Sequence, residues 1–262
     1  LRYTFMIDQS ARESVQATEI QREVSGATVE YTDVRLVNGT YWNAPPKICR
    51  GDVLLALDKE QCGTATRLCL DLLVDNWNQV AFGPCLEGAV FELQQEHRPE
   101  RVSMLDGYLT LFLGAAGDAH FHLCTDVHRG LGREGVDSAV ANRRQCSRVS
   151  FYREFGEGRC VPGSWGVRLW NGDGDQMCTF FLPNPFLNAE QKLQSPDWSR
   201  LSLWNELRAR YLGETVPQPI PEDDTVRSTQ LASTEVREID GPEGLEPTRY
   251  GDWERKGRAI DF

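Results

Sequence analysis

Three of the four histidines lie close together, in the segment 120–128, which reads HFHLCTDVH. Alternate side chains of an extended strand share a face, so His120, His122 and Cys124 are predicted on one side of a strand, together with Asp126. Imidazole nitrogen and thiolate sulfur are ligands that zinc prefers. The sequence therefore predicts a zinc site at these two histidines and this cysteine. The candidates for a further ligand are Cys146, Cys160 and His97.

The alternative interpretation of the same strand is structural. One polar face would then carry histidines that are hydrogen-bonded to neighbouring strands. Nucleophilic catalysis by Cys124 is not favoured, because a spacing of two residues along a strand does not turn a histidine base towards the thiol. The sequence also contains no Gly-x-Ser-x-Gly turn, phosphate-binding glycine loop or His-Glu-x-x-His helix. We therefore expect a protein that is not an enzyme, and we interpret Arg143, Arg144 and Arg148 as a solvated helix face.

The elements that would position these residues are predicted from periodicity, capping and turn signals. The segment Asn171-Gly172-Asp173-Gly174-Asp175 indicates a hairpin turn, and a last helix is expected to begin with Ser195 as N-cap and to end at Gly213. The order of elements indicates the α+β class, a largely antiparallel sheet with several packed helices, followed by an extended C-terminal arm. The other predicted helices are 6–24, 64–77 and 134–146, and the predicted strands are 89–93, 108–113, 120–124, 165–170 and 177–182.

Composition divides the chain into unequal parts. Its 262 residues are 40% hydrophobic, which is enough for a substantial core, and the net charge of −11 argues against nucleic-acid binding. No apolar run approaches the roughly 18 residues of a membrane span. Apolar clusters and cysteines stop near residue 213, after which proline and acidic residues predominate. We predict a globular domain at 1–213, an acidic, proline-rich linker at 214–240 and an arm at 241–262.

The eight cysteines show no Cys-x-x-Cys pair, and a domain of this size does not need disulfides, so reduced thiols are favoured. The sequence begins at Leu1, and we expect a processed chain from which a targeting peptide has been removed.

Residues from about 85 to 190 resemble an uncharacterised bacterial domain family. The resemblance rests on the phrases LDGYLT at 105–110, HFHLC at 120–124, SWGVRLWNG at 164–172 and FLPNPF at 181–186. It implies no activity.

The last residues concentrate aromatic side chains among charges of both signs. Tyr250, Trp253, Ile260 and Phe262 stand in a segment whose glycines and prolines forbid a long helix. Such a segment cannot fold alone and is predicted to fold onto a partner or onto its own domain.

This segment resembles the C-terminal signature of succinate dehydrogenase assembly factor 4. The matching residues are PTRYGDWERKGR at 247–258 and the terminal Asp261-Phe262, whereas Leu245 stands where the family usually has proline. Members of that family bind the flavin-bearing catalytic subunit of succinate dehydrogenase in the mitochondrial matrix. By resemblance, the partner-binding residues here would be Arg249, Tyr250, Asp252, Trp253, Arg255 and Phe262.

These observations lead to one hypothesis and two alternatives. The resemblance implies a non-catalytic accessory or assembly subunit of a mitochondrial respiratory-chain complex, in the matrix and peripheral to the inner membrane. Complex II (succinate dehydrogenase), through its flavoprotein subunit, is the expected partner. The alternatives are an accessory subunit of complex I, and a metal-binding or redox protein that uses His120, His122 and Cys124.

Overall fold

The computed structural model describes most of the region before residue 216. It covers residues 28–40, 58–84, 89–114, 119–130, 135–156 and 161–215, and the backbone alone of 18–22, 43–48, 85–86, 253–254 and 259–260. Among these residues no helix is long and apolar enough to cross a membrane.

The larger of two main sheets has seven antiparallel strands, in the order β1-β2-β11-β12-β13-β4-β7. Its long strands β11 and β12 pair over nearly their whole length, from Cys146 opposite Asn171 to Phe155 opposite Gly163. The strands of this sheet are β1 Thr18–Arg22, β2 Thr28–Asp33, β4 Ala81–Gly83, β7 Leu93–Gln94, β11 Cys146–Phe155, β12 Gly163–Asn171 and β13 Gln176–Phe181.

The second sheet has four antiparallel strands in the order β10-β9-β8-β3, so that β10 forms an edge. Two small antiparallel pairs, β5 with β6 and β14 with β15, complete the described strands. The bounds are β3 Asn43–Ile48, β5 Cys85–Leu86, β6 Ala89–Val90, β8 Arg101–Leu105, β9 Tyr108–Leu113, β10 Ala119–Cys124, β14 Trp253–Glu254 and β15 Ala259–Ile260.

In the described part of the chain, three α-helices accompany the sheets: α1 Thr64–Leu70, α2 Ser138–Arg144 and α3 Ser202–Leu212. The first continues directly into a π-helical turn, Asp71–Asp75, and we call these two pieces together the buried helix. Short 3₁₀ turns occur at Lys59–Gln61, Trp77–Gln79 and Trp198–Leu201.

The buried helix lies in the main hydrophobic core. Almost every side chain from Thr64 to Val74 is buried, with Arg67 half-buried. Both sheets and α3 contribute to the same apolar cluster, for example through Phe151, Leu111 and Leu207. A helix that is surrounded by apolar neighbours must find partners for each of its polar side chains, because an unpaired buried polar group is costly.

Asp71 is the buried acid of this helix. Its Oδ1 accepts a hydrogen bond of 2.6 Å from Lys59 Nζ, and its Oδ2 accepts from Arg210 Nη1 at 2.6 Å and from Tyr211 Oη at 2.7 Å. Burial alone would raise the pKa of Asp71, but the hydrogen bonds from Lys59 and Tyr211 and the charge of Lys59 outweigh burial and hold it below the ordinary value. These contacts join the buried helix to the end of α3.

The structure confirms the α+β class, the antiparallel sheets, the helix near 64–77 and the strand Tyr108–Leu113. It also confirms the hairpin between β12 and β13, in which the side-chain oxygen of Asn171 accepts from the backbone of Asp173 and Asp175. The strands predicted at 120–124, 165–170 and 177–182 correspond to β10, β12 and β13.

Four predictions are wrong in part. The end of the predicted helix 6–24 forms strand β1, and residues 1–17 lie outside the described part. The predicted strand 89–93 is split between β6 and β7, and the helix predicted to reach Cys146 ends at Arg144, because β11 begins at Cys146. Finally, the capping residue before α3 is Asp197 rather than Ser195. Its carboxylate accepts a hydrogen bond from Ser199 N and so caps the 3₁₀ turn Trp198–Leu201, which leads directly into α3.

The contacts of Asp71 lead to a prediction about acid stability. Asp71→Asn removes the charge that pairs with Lys59 and Arg210, so we expect the free energy of unfolding to fall by about 2 kcal/mol at neutral pH. Because the folded-state pKa of Asp71 is lowered, its stabilisation is complete above the unfolded-state value of about 3.9 and is lost as the pH falls through the folded value. Urea titrations at several pH values measure both effects.

The matched control is Asp75→Asn, because Asp75 also pairs with Lys59 but is substantially exposed. We expect this variant to lose less than about 1 kcal/mol. The pH curve of Asp71→Asn should be flatter than that of the control below about pH 4. Parallel curves for the two variants would show that the buried carboxylate does not carry this dependence.

Candidate functional site

The predicted metal ligands lie on or beside strand β10, whose two faces differ as the alternation predicts. His120 and His122 are exposed. On the other face Leu123 is buried in the core, and Phe121 packs edge-on against Phe82 with ring centroids 5.0 Å apart. The apolar face of β10 therefore anchors the strand and presents the two imidazoles outward.

Each of the two histidines also contacts the neighbouring strand β9. His120 stands opposite Phe112 and packs edge-on against it, with ring centroids 4.7 Å apart. His122 stands opposite Thr110, and its Nδ1 is hydrogen-bonded to the Thr110 hydroxyl at 2.8 Å. The two imidazole rings are 6.0 Å apart. The hydrogen bond of His122 is the kind of contact that the structural alternative predicts, whereas the proximity of the two rings is what a metal site would use.

Cys124 differs from the two histidines in its surroundings. It is buried, and its thiol donates a hydrogen bond of 3.6 Å to the carbonyl oxygen of Asp126. Burial, reinforced by the charges of Asp106 and Asp126, raises the pKa of Cys124 to about 12. The residue is thus a thiol at neutral pH, although a zinc ligand must be a thiolate.

Asp126 follows the end of β10 rather than continuing its polar face, so this part of the predicted register is wrong. Its carboxylate accepts hydrogen bonds of 2.8 Å from the backbone N–H groups of Gly39 and Val127. Gly39 and Gly63 have to be glycine at this approach, because a Cβ on either would come within 2.8 Å or less of Asp126 Oδ2.

The candidate further ligands are dispersed. His97 is exposed in the segment before β8, Cys146 is buried with its thiol donating to Arg148 O, and Cys160 lies outside the described residues. Within the described ranges no group of three His, Cys, Asp or Glu side chains is arranged to hold one metal ion. The zinc site stays a prediction.

The structure instead brings Asp106 together with His128. Asp106 and Gly107 form the turn between β8 and β9 with φ of 50° and 82°, the left-handed conformation that an Asp-Gly hairpin turn requires. The turn directs the carboxylate of Asp106 at the chain beyond β10, where it accepts from the N–H groups of Arg129 at 2.8 Å and Gly130 at 2.9 Å. His128 Nδ1 lies 2.9 Å from Asp106 Oδ2, and both side chains are buried.

The contacts of His128 define its chemistry. Its Nε2 lies 3.2 Å from Arg144 Nη1. Because a guanidinium only donates, Nε2 accepts, so the ring proton lies on Nδ1 and points at Asp106. A buried Asp–His pair is the arrangement of a general base, but here the nitrogen that would take a proton is occupied by Arg144. The arrangement therefore serves to hold the hairpin turn against the loop after β10.

Sequence reasoning noted that His128 lies near the other two histidines but gave it no role, and it did not predict the contacts of His128 with Asp106 and Arg144. The dipeptide Asp106-Gly107 was a signal for the position of Asp106, since Asp-Gly is typical of two-residue hairpin turns and fixes the direction of the aspartate. The interpretation of Arg143, Arg144 and Arg148 as a solvated helix face is confirmed for the first two, which are exposed on α2, although Arg144 also bonds His128. It is wrong for Arg148, which lies on β11 and pairs with Asp33 at 2.9 Å.

The predicted partner-binding residues belong to the arm. Arg249, Tyr250, Asp252, Arg255 and Phe262 lie outside the described residues, and Trp253 is described only as the first backbone position of β14. There it pairs with Ile260 of β15 in a short antiparallel hairpin.

Comparison with known proteins divides the chain at a similar place. Residues 54–213 match a family of unknown function (DUF7676), and residues 221–262 match a second one, a protein of unknown function (DUF1674). UPF0369 proteins of Rickettsia felis, Rickettsia conorii and Rickettsia prowazekii are each 65% identical over 26 residues, 10% of this chain. The match spans only 33%, 28% and 33% of those proteins. No solved structure gives a significant match.

The contacts of Asp106 predict that this carboxylate is a determinant of stability. Asp106→Ala leaves two backbone N–H groups and the His128 ring without their acceptor, so we expect a loss of about 2–4 kcal/mol in the free energy of unfolding. Asp106→Asn, which keeps one acceptor oxygen, should lose less. Thermal and urea unfolding measure both. Asp173→Ala is the control at an exposed turn, and an equal loss there would contradict the assignment.

Proposed function

The chain belongs to the family of unknown function DUF7676, and we propose that the domain of this family is here the globular lobe of a non-catalytic accessory or assembly subunit of a mitochondrial respiratory-chain complex. The partner is complex II, which the protein contacts through the arm 241–262 at the flavoprotein subunit. The site of action is the mitochondrial matrix, peripheral to the inner membrane.

The observation that carries this proposal is the sequence of the arm. Residues 247–258, together with Asp261 and Phe262, resemble the signature of succinate dehydrogenase assembly factor 4. A second family model, of unknown function, matches residues 221–262 separately from the model that matches 54–213, which supports treating the arm as a unit of its own.

The physical character of the arm supports docking. Strands β14 and β15 have two residues each and pair only with each other among the described strands. A two-stranded hairpin is marginal in water unless a further surface covers it. Tyr250, Trp253 and Phe262 supply the large aromatic side chains, and Arg249 and Arg255 the guanidinium groups, that most often carry the energy of an interface.

The described domain offers support for the non-catalytic part of the proposal. The nitrogen of His128 that could act as a base accepts from Arg144. The thiols of Cys124 and Cys146 are buried, which raises the pKa of each to about 12 and disfavours a thiolate nucleophile. These groups are used in holding the fold together.

The proposal predicts that the aromatic residues of the arm are required for association. We expect Tyr250→Ala and Trp253→Ala each to weaken binding to complex II by about 30-fold, because truncation of an interface aromatic residue costs about 2 kcal/mol or more. Native electrophoresis of mitochondrial extracts, with mass spectrometry of each band, measures which complex the protein follows.

Phe91→Ala is the matched control, since Phe91 is an exposed aromatic residue of the domain. It should leave the association unchanged. Migration of the wild-type protein with complex I would support the alternative partner. Migration with neither complex, or equal loss in the Phe91 variant, would overturn the proposal.

Metal binding or redox chemistry at His120, His122 and Cys124 is a second candidate, favoured by the 6.0 Å separation of the two exposed imidazole rings. If this hypothesis is right, the purified full chain contains about one equivalent of zinc, and His120→Ala loses it. Because the thiol of Cys124 is buried, however, we expect the opposite result, which is less than about a tenth of an equivalent of zinc, iron or copper. Elemental analysis decides between these outcomes, with Thr110→Val as a variant that alters the surroundings of His122 without removing a ligand.

A further inference from the structure

A cavity of about 500 Å³ opens beside the buried helix, between the segment that follows β2 and the end of α3. Its lining includes four basic side chains, Arg35, Lys59, Arg67 and Arg210, and two acidic ones, Glu60 and Asp71. This volume lies within the range of small-molecule sites. An excess of basic groups at one cavity stands out in a chain whose net charge is −11.

Two of the basic groups already have anionic partners. Lys59 pairs with Asp71 and Asp75, and Arg210 pairs with Asp71 and with Glu206 at 2.7 Å. Asp71 in turn accepts from Lys59, Arg210 and Tyr211, so both of its oxygens are occupied. The acid at the wall of the cavity is therefore committed to these neighbours.

Arg67 and Arg35 differ from that pair. Arg67 lies on the buried helix, and its Nε is buried with no hydrogen-bond acceptor among the described groups. Arg35 is exposed at the cavity and forms no ion pair with a carboxylate in the described part of the chain. Arg67 also lines the cavity. A guanidinium whose buried N–H lacks an acceptor is incompletely compensated, and an anion bound in the cavity would supply a negative partner for its charge.

We propose that this cavity is a binding site for the oxyanion group, phosphate or carboxylate, of a small metabolite. Arg67 donates to the oxyanion through its planar fork, which matches the geometry of both groups, and Arg35 provides the second cation at the opening. Lys59 and Arg210 remain on Asp71 and position that wall. The lining residues that the structure describes all precede residue 213.

Isothermal titration calorimetry on the full chain tests the site, with inorganic phosphate, pyrophosphate and malonate as separate probes in a buffer low in chloride. We expect saturable binding of at least one probe with one site per chain. Preference for phosphate or pyrophosphate identifies a phosphorylated ligand, and preference for malonate identifies a carboxylate. Arg67→Gln and Arg35→Gln should each weaken binding by about tenfold, the loss of one charge-assisted contact.

Arg143→Gln is the matched control, because Arg143 is an exposed arginine on α2 and the change in net charge is the same. It should bind like the wild-type protein, and Arg67→Lys, which keeps the charge but loses the fork, should fall between wild type and Arg67→Gln. Arg35→Gln alters only an exposed side chain, so it tests the site even if Arg67→Gln unfolds the protein. The proposal is overturned by no saturable binding of any probe, by unchanged binding in Arg35→Gln, or by equal weakening in Arg143→Gln.

Discussion

The buried helix imposes the constraint on which the arrangement of the domain depends. From Thr64 to Val74 almost every side chain is enclosed by apolar neighbours, so its polar groups need partners from other parts of the chain. Thr66 is hydrogen-bonded to Thr125 at 2.7 Å, and Asp71 draws in Lys59, Arg210 and Tyr211. These hydrogen bonds fix three separate segments against one helix: the turn that carries Lys59, the loop that carries Thr125 and the end of α3. The apolar contacts make this helix stable in the interior, and the polar contacts specify what surrounds it.

Two further buried carboxylates hold separate segments of the domain together in a similar way. Asp126 holds the backbone of Gly39 beside Gly63, at the beginning of the buried helix. Asp106 likewise holds the loop after β10 through His128 and the backbone of Gly130. Each of these buried carboxylates accepts hydrogen bonds from backbone N–H groups that would otherwise donate to water. Arg67 Nε is the contrasting case on the helix itself, a buried donor with no acceptor among the described groups, and Arg67 lines the cavity at which we propose an anion site.

The parts of the fold that sequence reasoning predicted are those with local signals. Leucine spacing indicated the buried helix, and the Asn-Gly-Asp-Gly-Asp turn indicated the β12–β13 hairpin. Strand β11 was missed because it is buried on both faces and carries charges within its run. Val149 and Phe151 face the main core, whereas Tyr152 packs with a separate small cluster. Strand β11 therefore shows no clear alternation of apolar and polar residues in its sequence. It is a strand because it pairs with β2 and β12, which lie far away along the chain.

The candidate sites show a corresponding division. The exposure of His120 and His122 could be read from alternation, because a strand with one apolar face has only one register that buries it. The contact of Asp106 with His128 could not, since it joins two loops that the sheet brings together across 22 residues of sequence. The arm offers local information only: its two described strands have two residues each, so the proposal for its role rests on consecutive residues of the sequence. That proposal could be made from the sequence, whereas the proposed anion site of the domain depends on which charged groups the fold brings to one cavity.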